Sequence, residues 1–136
     1  VPRCLTGSLS ERLESHAVIL SRRIYIVLAW ALFAAVMIQI FLAGLGTFTD
    51  PSYWSQHTTF VHFFELIPAI LFGLSFPARL TGLPRWLPLI AFLLIGFQYG
   101  TAAARPELVA ALHTVNAVII AGAAFHLARS VRAAEA

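Results

Sequence analysis

The sequence predicts an all-α fold: an integral membrane four-helix bundle built from two parallel-repeated helical hairpins, with a short N-terminal amphipathic helix. Three observations carry this. Apolar residues make up 60% of the 136 and charged residues only 11%, with mean hydropathy +0.84, which leaves too little polar surface for a water-soluble domain. Apolar stretches near the length of a bilayer crossing recur along the chain. All nine basic residues are arginines, and they sit at the ends of those stretches. The expected organisation is residues 1–23 as a cytoplasmic or interfacial segment, 24–129 as the bundle, and 130–136 as a cytoplasmic tail.

Ser8-Leu9-Ser10-Glu11 fits a capping box. Leu9, Leu13, Ala17 and Leu20 then recur at helical spacing, which predicts a helix lying on the membrane surface or extending the first span. Cys4 is the single cysteine, so no internal disulfide can form. Arg3 stands where a lipoprotein cleavage site needs a small residue, so a free thiol is expected. No cleavable signal is expected, because the first apolar segment is long enough to stay in the bilayer.

The first span is expected over 24–46. It would rise about 34 Å, enough to cross with a modest tilt. Gly44-Leu45-Gly46 should end it. Asp50-Pro51 then offers an N-cap and a proline at the first helical position, and Tyr53 and Trp54 form an interfacial belt. The second span is expected over 54–76. Pro68 inside it lacks an N–H and crowds the carbonyl of Phe64, so a bend is expected beside Glu65. Pro77, Gly82 and Pro84 mark the next connection. The third span is expected over 84–101, with Gly96 and Gly100 permitting close helix contact. Thr101–Arg105 reads as a turn, and Pro106-Glu107 opens the fourth span, over 106–129.

Arg3, Arg12, Arg22, Arg23, Arg79, Arg85, Arg129 and Arg132 fall on one side and only Arg105 on the other. The positive-inside rule then predicts a multi-pass protein of the bacterial inner (plasma) membrane with both termini cytoplasmic. The arginines form no patch, so nucleic acid is not expected as a partner. The lipid bilayer is, with other membrane subunits or a redox partner.

Function rests on the few polar groups inside the spans, because such groups are costly in hydrocarbon and mark ligand sites, pathways or buried partners. His62 lies about 12 Å inward from Trp54, and His113 about 10 Å inward from Pro106. Gln39 lies about 21 Å from Tyr25, and Gln98 about 18 Å from Trp86. In a core about 30 Å thick these four reach one level of the outer leaflet. Glu65 and Asn116 lie one turn deeper, on the faces of His62 and His113.

The positions also repeat: Gln39-x-x-x-Ala43, turn, His62-x-x-Glu65, then Gln98-x-x-x-Ala102, turn, His113-x-x-Asn116. Two hairpins that start from the same side form a parallel repeat about an axis along the membrane normal. That axis would bring His62 and His113 face to face in the bundle, where cofactor sites are built.

Two facing neutral imidazoles suit the axial positions of a haem. His62 and His113 are therefore the expected metal ligands of a b-type haem. Gln39, Gln98, Glu65 and Asn116 are expected beside it; Glu65 would tune a ligand or carry a proton. Ala31, Ala35 and Ala43 on the first helix, and Ala110, Ala117 and Ala121 on the fourth, would leave room for a flat macrocycle.

Other readings stay open. The same groups could only hydrogen-bond across helices and fix packing, at about 1 kcal/mol per contact. The chain would then be a non-catalytic accessory subunit of a larger complex. A quinone or pigment site, or another tetrapyrrole held by one histidine, is a further alternative.

His57 is expected at the outer interface, or lining an entry path. His126 and His16 are expected to pack or to sit at the surface. A di-iron centre would need several inward carboxylates, and only Glu65 is intramembrane. No P-loop, zinc pair or nucleophile elbow is present, so phosphoryl and acyl transfer have no support. An electron carrier or accessory subunit is expected rather than an enzyme.

Tyr25–Gly46, His62 and Ala111-Leu-His-Thr-Val-Asn-Ala117 resemble a family of small, uncharacterised four-helix membrane proteins found mainly in actinobacteria. That resemblance implies the fold and no activity. More distantly, the chain is similar to one half of haem A synthase. That likeness implies paired haem-binding histidines near the outer face, at His62 and His113. The chain has one such half and no visible catalytic carboxylate in an outer loop, so haem binding or electron transfer is implied rather than synthesis.

Overall fold

The computed structural model describes residues 9–102 and 107–133. It is helical throughout, with no strand among the described residues. The elements are α1 (Leu9–Phe48), α2 (Tyr53–Phe60), a 3-10 turn (Val61–Phe63), α3 (Ile67–Leu74), α4 (Leu83–Ala102) and α5 (Glu107–Ala133). α2 and α3 are two halves of one broken helix, so the architecture is a bundle of four. α1 packs on α5, α2 and α3, and α4 packs on α5 and α3. α1 and α4 thus occupy one diagonal, and the broken helix and α5 the other.

Three stretches are long and apolar enough to cross a membrane: Leu9–Phe48, Tyr53–Leu74 and Ala111–Val131. α4 stands outside that set; Pro84, Arg85, Pro88, Gln98 and Tyr99 dilute its 20 residues. Large apolar side chains cover the exterior, among them Val27, Phe41, Leu93, Phe97 and Val118, as expected where lipid is the solvent.

α1 is continuous over 40 residues, about 60 Å and roughly twice a hydrocarbon core. Residues 9–23 are its first turns and not a separate surface helix. Nothing between Leu9 and Ala43 is Gly or Pro, so no break is encoded there. Nor do Gly44 and Gly46 end the helix, which runs on to Phe48. Gly46 instead admits a neighbour: a Cβ there would lie 3.0 Å from the Trp54 ring. The turn that follows is held by Asp50, whose Oδ1 accepts the Ser52 N–H at 2.8 Å. Hydrogen bonding to the charged form keeps this carboxyl below its ordinary pKa.

The break in the second span falls where Pro68 predicts it. Phe64 leaves helical geometry (φ −126°, ψ −8°), and with no Pro68 N–H its carbonyl takes the Ile67 N–H at 2.9 Å. Pro68 then sits in the first turn of α3, where a missing N–H costs nothing.

The core is concentrated at one end. Tyr25, Ala29, Leu32 and Val36 form a buried stripe on α1. They meet Leu71 and Ala78 from α3 and the turn after it, and Ile120, Ala124, Leu127 and Ala128 on α5. Alanines on α1 and α5 let those helices approach closely, the usual route to helix association in lipid. The same end is tied by Arg22 Nε donating to Ala78 O (3.0 Å), Tyr25 OH donating to Pro84 O (2.5 Å) and Arg79 bridging to Glu14 (3.2 Å). Two left-handed residues, Arg79 (φ 53°) and Gly82 (φ 64°), reverse the chain there.

The capping box, Cys4 and the 101–105 turn involve residues outside the described ones, as do Arg3, Arg105 and Pro106.

Candidate functional site

The opposite end of the bundle is open. A cavity of about 610 Å³ lies between the broken helix, α1, α4 and α5. Its wall is apolar (Val36, Ile40, Val61, Phe64, Ile95, Ile120) with a few polar groups: Gln39, His57, His62, Gln98, Tyr99 and His113. That is the size and character of a site for a small organic ligand or cofactor.

Two histidines face each other across it. His57 of α2 and His113 of α5 have ring centroids 6.3 Å apart, inclined by 52°. Each is fixed in the same way. His57 Nδ1 lies 3.0 Å from the Gln39 carbonyl, and His113 Nδ1 lies 3.1 Å from the Gln98 carbonyl. A carbonyl oxygen only accepts, so each Nδ1 carries the hydrogen. Each Nε2 keeps its lone pair and has no protein partner among the described residues. Fixing one imidazole nitrogen on a carbonyl so that the other is a ready donor is the usual support of a histidine ligand.

The remaining polar groups hold this pair. Gln39 Nε2 donates to His57 O (2.8 Å), which closes a reciprocal link between α1 and α2. Gln39 Oε1 is buried without a partner. The Trp54 ring stands edge-on to His57 with centroids 5.4 Å apart, and Gly46 is what lets it lean there. Asn116 is only 3% exposed and donates to Leu94 O and Gln98 Oε1, both at 2.8 Å. Through these two bonds Asn116 clamps α5 to α4.

His62 and Glu65 form a different cluster, at the cavity's outer rim. His62 Nδ1 donates to Glu65 Oε1 (3.2 Å), and Tyr99 OH donates to Glu65 Oε2 in a short bond. The His62 and Tyr99 rings lie nearly parallel (17°) with centroids 6.2 Å apart. The His62 side chain is 62% exposed and that of Glu65 is 27% exposed.

The residues expected at one level thus gather at one end of the molecule, in two groups. The hydrogen bonds of the repeat match His57, and not His62, to His113: Gln39 carries His57 as Gln98 carries His113. The motif His-x-x-(Glu/Asn) had set the register five residues off. His57 was expected at the interface or an entry path; it lines the cavity. Tyr99, which no motif marked, completes the rim cluster. A usable signal existed: His57 is six residues past Pro51, and His113 seven past Pro106, so the helix-opening prolines give the register. His16 and His126 are exposed, away from the cavity. Ala43 and Ala117 line the cavity, whereas Ala31, Ala35 and Ala121 do not; the side chain of Ala110 lies outside the described residues.

Among the described residues no group of three or more His, Cys, Asp or Glu is placed to hold a metal ion. A bare ion would therefore find too few protein ligands here. Two imidazoles suffice only for a metal whose other positions are already filled, as in a metallated macrocycle.

The chain is similar to a family of unknown function, DUF6220, over residues 39–104. That stretch begins at Gln39, contains His57, His62, Glu65, Gln98 and Tyr99, and stops short of His113. No curated protein and no solved structure matches the chain, so the likeness to half of haem A synthase has no counterpart there.

Proposed function

We propose that this chain is a membrane-embedded b-type haem-binding protein that carries electrons, with His57 and His113 as the axial pair. The observation that carries the reading is the paired geometry: two rings on the bundle diagonal, 6.3 Å apart, each with Nδ1 tied to a backbone carbonyl. The apolar cavity supports the same reading, since a flat macrocycle needs apolar walls and little else. His57 and His113 would hold a haem there, and it would supply one-electron chemistry.

The protein's own groups orient and insulate. The Gln39 and Gln98 carbonyls hold the tautomer. The Gln39 amide and the Asn116–Gln98 clamp fix the helices that carry the rings. Trp54 covers His57 from the side of the connecting turn. His62, the other candidate ligand, spends Nδ1 on Glu65 and turns toward the exterior. Arg12, Arg22, Arg23, Arg79, Arg85 and Arg129 gather at the packed end. This supports a bacterial plasma-membrane orientation with that end and both termini cytoplasmic, and the cavity in the outer leaflet.

The test is the visible spectrum of protein purified in mild detergent, before and after dithionite. A Soret band that shifts on reduction, disappears in His57→Ala and in His113→Ala, and persists in His62→Ala is the expected result. A preparation that stays colourless after haem is supplied overturns the proposal and favours an accessory subunit whose polar groups only lock helices. Loss in His62→Ala with retention in His57→Ala would return the axial role to His62.

A further inference from the structure

The rim cluster of Glu65, His62 and Tyr99 is unexplained by a ligand between His57 and His113. It sits on an apolar span, and it faces outward. A carboxylate at the centre of a spanning helix costs about 2.5–3.5 kcal/mol on insertion scales, and a residue kept there is by default functional. No arginine or aspartate is among the residues lining the cavity or bonded to Glu65. Other titratable groups nearby are His57 on α2 and His113 on α5, across the cavity.

The hydrogen bonds fix what the cluster can offer. Both Glu65 oxygens accept, one from His62 Nδ1 and one from Tyr99 OH. An ionised Glu65 only accepts, which places the His62 hydrogen on Nδ1. With its hydrogen on Nδ1, His62 presents Nε2 as a bare acceptor. The Tyr99 hydroxyl hydrogen is spent on Glu65, and its oxygen lies 3.4 Å from His62 Nδ1. Deeper in the adjoining cavity, Gln39 Oε1 is a further acceptor, buried and without a partner among the described residues. The rim is therefore rich in acceptors, with its own N–H and O–H hydrogens spent inside the cluster. It suits a ligand that brings hydroxyl hydrogens, not one that brings carbonyl oxygens.

The route in is apolar. Phe63 (78% exposed) and Leu66 flank the cluster on the broken helix, and Phe97 lies on α4. His62 and Tyr99 are at once exposed and part of the cavity wall. Irregular backbone at Val61–Leu66 marks the gap, and in spanning helices such backbone is tolerated where it lines a cavity. A ligand reaching this gap from the bilayer needs a long apolar tail and a flat head bearing hydroxyls.

We infer that the Glu65–His62–Tyr99 rim, opening between the broken helix and α4, is a binding site for a lipid-soluble hydroquinone, which it takes in preference to the matching quinone. The inference stands without the haem, because none of its three residues is an axial ligand in the proposed function.

The test is calorimetric titration of the detergent-purified full chain with a decyl-tailed benzohydroquinone kept reduced, and with its quinone. Saturable binding at least tenfold tighter for the hydroquinone is expected. His62→Ala should weaken it tenfold or more. His62 is exposed, so this variant should keep its helical circular dichroism, which is measured alongside. Glu65→Gln can donate to His62 Nδ1 and release its tautomer, so it should erase the preference for the reduced form. His113→Ala should leave hydroquinone binding intact even where it abolishes a chromophore, which separates the two proposals. Partition into micelles without saturation overturns the inference. So does equal binding by His62→Ala and wild type, or an unchanged preference in Glu65→Gln.

Discussion

The two ends of the bundle solve opposite problems with similar helices. At the packed end, α1 brings Tyr25, Ala29 and Leu32 against Ala124, Leu127 and Ala128 of α5, and all six are fully buried. At the open end the same two helices carry Gln39 and His113 along a cavity of about 610 Å³. In lipid, helices gain little from leaving the solvent, so packing contacts and interhelical hydrogen bonds must hold them. The packed end relies on contact, with small residues to bring backbones close. The open end relies on hydrogen bonds from side chains to backbone carbonyls, which keep helices in register without filling the space between them. The helix break at Val61–Leu66 belongs to the open end only, where it turns side chains of one span toward two different surroundings.

Breaking this contrast should give separable losses. The largest effect is expected for the double variant His57→Ala/His113→Ala: complete loss of bound chromophore, read by absorbance. Thermal stability of the colourless protein should fall by about 2 kcal/mol, because two hydrogen bonds to carbonyls of neighbouring helices are lost. Leu32→Ala should do the reverse. It removes a fully buried side chain from the packed end, so detergent-solubilised protein should lose about 2–4 kcal/mol in an unfolding titration. Its spectrum should be unaltered.

Gly46→Ala tests the boundary between structure and site. The new methyl would meet the Trp54 ring at 3.0 Å, so Trp54 must give way, at about 1–3 kcal/mol. The Trp54 fluorescence maximum should shift with it, because that ring leans on His57. The smallest effect is expected at Asp50. Its carboxyl is held below the ordinary value by the Ser52 N–H, so it adds stability that is present above about pH 4 and fades as pH falls through the lowered value. Asp50→Asn should flatten that part of the pH dependence of melting and leave the spectrum alone.

How much of this could be read from residues alone differs between the ends. Hydropathy found the bundle and the bend at Pro68, because apolar length and a missing N–H act locally. The continuity of α1 was harder. Its first turns have an amphipathic pattern, but with no Gly or Pro before Gly44 the helix simply continues. At the site, depth counting brings Gln39, Gln98, His62 and His113 to one level, with Glu65 and Asn116 one turn deeper. It missed His57, because it followed the His-x-x-Glu motif at His62 and counted depth by a uniform helical rise. His57 lies in regular α2, whereas His62 lies in the 3-10 turn Val61–Phe63, and where that turn falls depends on tertiary packing. Tyr99 carried no motif and became visible only as the hydroxyl that reaches Glu65 from another helix.

The repeated anchoring of each histidine on its own hairpin has a consequence for biogenesis. His57 and the carbonyl of Gln39 belong to the first pair of helices, and His113 and the carbonyl of Gln98 to the last. Each half can therefore acquire its oriented imidazole as soon as its hairpin enters the bilayer, before the other half has left the ribosome. Neither half can grip a ligand from both sides by itself. Were the pair to hold a ligand as proposed, capture would wait until the hairpins meet, and occupancy would report that assembly is finished.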